Sequence, residues 1–113
     1  MIQIKDFDIL ENLMLRIYEP KLLEVLKWVY EEHKEMIITC GFRKGDSGVH
    51  GQEPCRGVDL RSTSFTNPKS VEEDINKYWE YDPTRPDMQV ALLHNVGQGI
   101  HFHIQVHART RRR

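Results

Sequence analysis

Read with period two, residues 101–107 divide into two faces: Phe102, Ile104 and Val106 on one side, His101, His103, Gln105 and His107 on the other. The pattern predicts a half-buried strand whose polar face carries imidazoles. Upstream, Leu22, Leu23, Val25, Leu26 and Val29 recur at three- and four-residue spacing, with Glu24, Lys27, Glu31 and Glu32 outside the stripe. Pro20 stands where a missing N–H costs nothing, so a core helix is expected from Pro20 to about His33. The β-branched run from Met36 to Phe42 predicts a buried strand, and Gly57 to Arg61 a second, with Val58 and Leu60 opposite Asp59 and Arg61. Ser70 with Glu73 reads as a capping box opening a helix to about Tyr81, with Val71, Ile75, Tyr78 and Trp79 inward and Pro83 and Pro86 ending it. Met88 to Leu93 is the next expected strand, and Asn95 to Gly99 a turn forming a hairpin with the His-rich strand. Residues 1–19 lack a firm period and read as a strand or short helix plus a connector. Residues 43–51 read as a glycine-rich loop, and Arg109 with Arg111 to Arg113 as a basic tail without order.

This order predicts an α+β fold, a small antiparallel sheet covered on one face by helices, in a single domain of 113 residues. The charge of −1 argues against nucleic acid as the main partner. No apolar run approaches the roughly 20 residues that span a bilayer. The first residues lack the basic and apolar regions of a signal peptide, so the chain is expected to be made in the cytoplasm. Cys40 and Cys55 do not make a disulfide framework, and reduced thiols are expected.

The chemistry lies in the histidines. A catalytic zinc site typically takes three ligands from His, Asp, Glu or Cys and keeps a fourth position for water. His101 and His103 share a strand face, so both could reach one site, with His50 and Asp59 arriving from the segment Ser47-Gly48-Val49-His50 to Gly57-Val58-Asp59. Each has a plainer reading. His50 could be a loop residue, and Asp59, although Asp is depleted from strands, could pair with Arg61. His107 lies four strand residues, about 13 Å, from His103, which suits a rim or substrate contact. His33 and His94 read as surface or capping residues, and Cys55 as a small apolar filler.

These motifs resemble the zinc D-Ala-D-Ala carboxypeptidase and L-alanyl-D-glutamate endopeptidase family, which shares its core with the Hedgehog signalling domain and the penicillin-insensitive murein endopeptidases. The family pattern is Ser-x-His, then Gly-x-Asp or Gly-x-Ala-x-Asp, then a late His-x-His on a strand. Ile37 to Arg43, a strand followed by an aromatic and an Arg, is similar to the approach to its first motif. The resemblance covers roughly residues 36 to 107. It implies His50, Asp59 and His103 as zinc ligands, His101 as general base or transition-state stabiliser, and Arg43 as the group that holds a substrate carboxylate or the oxyanion. Ser47 and His107 would be further substrate contacts. Eight residues separate His50 from Asp59 where the family usually has six, and Ile100 stands where the dipeptidase branch places a catalytic Glu.

The resemblance implies a zinc metallopeptidase, carboxypeptidase or endolysin-type endopeptidase, hydrolysing peptidoglycan peptides. It is similar to phage forms without a separate wall-binding domain, which reach the wall after release from the cytoplasm. The alternative is a zinc-stabilised binding module of the same fold without turnover. A non-haem iron site of two His and one carboxylate is a third reading, although such sites usually have His-x-Asp.

Overall fold

The computed structural model describes residues 2–10, 18–42, 45–95 and 99–113. In chain order its elements are β1 (Ile2–Ile4), α1 (Pro20–His33), β2 (Met36–Cys40), β3 (Gly57–Leu60), α2 (Pro68–Tyr78), β4 (Trp79–Glu80), β5 (Ala91–Asn95), β6 (Ile100–Gln105) and β7 (Arg111–Arg112). Strands β1-β2-β3-β6-β5, in that order, form one sheet, while β4 and β7 pair separately. The α+β class expected from the pattern is present, but the sheet is mixed: β1 runs parallel to β2, and the other pairs are antiparallel. The parallel pair uses the edge strand at residues 2–4, which has no amphipathic period to announce it.

Helix α1 begins at Pro20 as expected, and Lys34 closes it in the left-handed region (φ 66°), its N–H donating to the Tyr30 carbonyl. Leu22, Val25, Leu26 and Val29 are buried together with Trp28, but Leu23 is 65% exposed. One residue on from Leu22 turns about 100° around the helix, which carries Leu23 out of the stripe. Helix α2 starts at Pro68, two residues before Ser70, because the Asn67 side chain caps it by accepting the Ser70 N–H. It ends at Tyr78, earlier than the prolines imply, because Trp79 goes extended to pair with Arg112. Trp79 is buried as expected, whereas Tyr78 is 39% exposed.

The core lies between the helices and one face of the sheet. Val58 and Leu60 of β3 and Phe102 and Ile104 of β6 are fully buried against Leu22, Val25, Val29 and Ile75. Each such side chain contributes roughly 1.5–3 kcal/mol. The hairpin of β5 and β6 forms as expected, with Leu92 opposite His103 and His94 opposite His101, although β5 begins at Ala91 rather than Met88. Helix α2 finishes the outer edge of β5 with side chains. Asn76 exchanges two hydrogen bonds with the Ala91 backbone (2.9 and 3.0 Å), and Glu72 accepts the Leu93 N–H.

The arginine tail, expected to lack order, is part of the fold. Arg111 and Arg113 both pair with Glu80 at 3.0 and 3.1 Å, and Arg109 pairs with buried Asp82 at 3.1 Å. Arg112 lies over the rings of Trp28, Tyr78 and Trp79. Composition alone gives no sign of these partners, which are 27 or more positions upstream. Cys40 and Cys55 are free thiols. Among the described residues no helix is long and apolar enough to cross a membrane.

Candidate metal centre

The sheet face opposite the core carries the histidines. Asp59 on β3 is directly opposite His103 on β6, so strand register alone brings them together. His50 arrives from a short 3-10 turn at Val49–Gly51 that follows the glycine-rich loop. The extra residues between His50 and Asp59 do bulge outward: Gln52, Glu53 and Pro54 are exposed. Cys55 is tucked in, its thiol donating to the Gly57 carbonyl at 3.4 Å, and burial pushes its pKa up. It fills space and is not one of the converging groups.

One ligand atom from each of His50, Asp59 and His103 lies within 4.8 Å of the others, a group able to hold a metal ion. His103 Nδ1 is 2.9 Å and His50 Nε2 3.4 Å from the same oxygen, Asp59 Oδ1. The outer bonds fix which atoms point inward. His50 Nδ1 meets the Gly41 carbonyl at 2.8 Å and must donate to it, so Nε2 presents a lone pair. Gln105 donates its amide N–H to the Gln89 carbonyl at 2.9 Å, which turns its oxygen towards His103 Nε2 at 3.2 Å. That ring nitrogen is therefore the donor, and His103 Nδ1 also faces inward as a lone pair when the ring is neutral.

With both rings neutral, three acceptors converge without a donor. His50 Nε2 is buried and has no hydrogen-bond partner. A proton on His103 would satisfy only its own contact with Asp59, whereas a metal ion would satisfy all three atoms. The outer bonds to Gly41 and Gln105 are the kind that orient metal-binding imidazoles. Burial pushes the Asp59 carboxyl up, but when His103 and His50 are protonated their hydrogen bonds outweigh it and hold its pKa well below the ordinary value. The group thus keeps its negative charge at neutral pH. Pairing with Arg61, the plainer reading of Asp59, is not observed.

The other expected site residues are placed as follows. His101 is outside the converging group. It sits two residues before His103 on the same face, with its Nε2 buried and unpartnered. Ser47 is exposed in the loop, and three positions separate it from His50, one more than the Ser-x-His pattern. His107 is turned to the C-terminal clamp: its Nδ1 accepts the Arg109 N–H at 3.1 Å and lies 3.8 Å from Asp82. Arg43 falls outside the described residues. His33 bonds Asp74 across the helices at 3.0 Å.

His94, expected only at the surface, is close to the site. It is exposed on β5, with its ring centroid 6.1 Å from that of His103 and 6.3 Å from that of His101. Hairpin register was the available signal, since an in-register turn sets His94 opposite His101. Gly41, Gly57 and Gln105 were also missed, because their roles depend on tertiary contacts.

Comparison with family models, curated proteins and solved structures returns no match for this chain.

Proposed function

We propose that this chain is a zinc-dependent peptidase that hydrolyses peptide bonds of bacterial cell-wall peptidoglycan. The observation that carries the reading is the inward convergence of His50 Nε2, Asp59 Oδ1 and His103 Nδ1 within 4.8 Å of one another, with His50 Nε2 buried and without a hydrogen-bond partner. Two imidazoles and one carboxylate suit zinc and leave a position for water. Bound there, zinc would polarise a carbonyl and lower the pKa of its water to about 7.

The remaining roles belong to the chain. His101 would accept the proton released when water attacks the carbonyl and return it to the leaving amine. Its buried, unpartnered Nε2 is consistent with that task. Arg43 would hold the oxyanion or a substrate carboxylate, for which a bidentate guanidinium is suited. The motif order Ser47, His50, Asp59, His101, His103 supports peptidoglycan as the substrate by resemblance.

The test measures metal content by plasma mass spectrometry on wild type and His103→Ala, alongside peptide release from purified peptidoglycan. One zinc per chain, lost with release in the variant, supports the reading. Zinc without release from any wall peptide overturns the peptidase and leaves a metal-stabilised binding module.

A further inference from the structure

Next to the metal group, on the same sheet face, lies a cleft of about 360 Å³ lined by Lys5, Thr39, Arg61, Ser62, Thr63 and His101. Its lining contains two cations and no carboxylate. Among the described residues, neither Lys5 nor Arg61 forms an ion pair, although most other arginines of the C-terminal half do. Thr39 and Ser62 direct their hydroxyl protons to the Asp59 and Ile100 carbonyls. The donors left facing the cleft are Lys5, Arg61 and Thr63.

Unpaired cations and a hydroxyl around one space are the donor set that an oxyanion satisfies. We propose that this cleft binds a carboxylate group of a peptide. Its place in the fold sets the distance. His101 and His103 are two residues apart on β6, a rise of about 7 Å, which two residues of extended peptide would span. On the peptidase reading, on which this role rests, the bound carboxylate lies about two residues from the bond at the metal group. The cleft would then select acidic peptides and fix their register.

The test titrates acetyl-trialanine and its C-terminal amide into the zinc-loaded chain and its Arg61→Gln and Lys5→Gln variants, following NMR signals of the cleft. Both substituted side chains are exposed, so melting temperature and zinc content should not change. The carboxylate form is expected to bind about tenfold tighter than the amide, with the preference reduced in each variant and absent in the double variant. Equal binding of the two peptides, or a preference that survives both substitutions, overturns the proposal. So does saturable binding of inorganic phosphate without a carboxylate preference. If the chain takes up no zinc yet keeps the preference, the peptidase reading falls and the cleft stands.

Discussion

Gly57 leaves no room for a side chain beside the ring of His103. A Cβ on Gly57 would be 3.3 Å from His103 Cε1 and only 2.5 Å from Val49 Cγ2. The first strand residue therefore leaves room for one ligand and for the turn that presents another. Gly57→Ala should push both aside and weaken zinc binding by tenfold or more, while far-ultraviolet circular dichroism stays native. Competition against a zinc-binding dye measures this, and an unchanged affinity would remove the packing argument.

Metal should stabilise the fold as well as bind it. Ligand at about 100 times its Kd adds about 2.7 kcal/mol, and 1 kcal/mol moves Tm by roughly 4–8 °C in a domain near this size. Zinc should therefore raise the wild-type Tm by about 10 °C or more, and a chelator should reverse it. In His50→Ala and Asp59→Asn most of that rise should vanish. Differential scanning calorimetry is the direct measurement.

Gln105 acts through His103. Gln105→Leu removes the acceptor that fixes the ring, and comparable outer partners are worth about 10–100-fold in metal affinity. Zinc affinity is expected to fall within that range, and Gln105→Glu, which keeps the acceptor, should restore much of it.

The buried carboxylate of Asp82 anchors the chain end. The Thr84 backbone N–H at 2.9 Å holds its pKa below the ordinary value against the opposing effect of burial, with help from the Thr84 hydroxyl and Arg109. A lowered folded-state pKa contributes stability that is present above the unfolded value, near 3.8, and lost as pH falls through the folded value. Asp82→Asn should lower the urea midpoint at pH 7, and the gap from wild type should narrow as the pH falls below about 4. A gap independent of pH would contradict this.

Much of this architecture was legible because it rests on local rules. Pro20 and the stripe that follows it mark α1, and the alternation at 101–107 marks β6 and its imidazole face. Asp59 stood out because a strand rarely carries Asp without cause. Partnerships across the fold were hidden. Arg112 over three aromatic rings, His107 against Asp82 and His94 beside His103 depend on where distant segments meet. Tyr78 and Trp79 looked like one helical face because a helix and a following extended residue share apolar spacing over so few positions. A strand was one of two readings of the first residues, and the parallel pairing of β1 was missed because three edge residues with both faces exposed carry no period.

The sheet order β1-β2-β3-β6-β5 has a consequence for how the protein comes into being. Its last strand in sequence is an interior one, and β5, made just before it, has no other strand to pair with. During synthesis, Asp59 must wait for His103, 44 positions later, before the three converging groups are all present. Metal capture by this group would then report that the sheet has closed, and a chain stalled before β6 presents neither a finished sheet nor all three converging side chains.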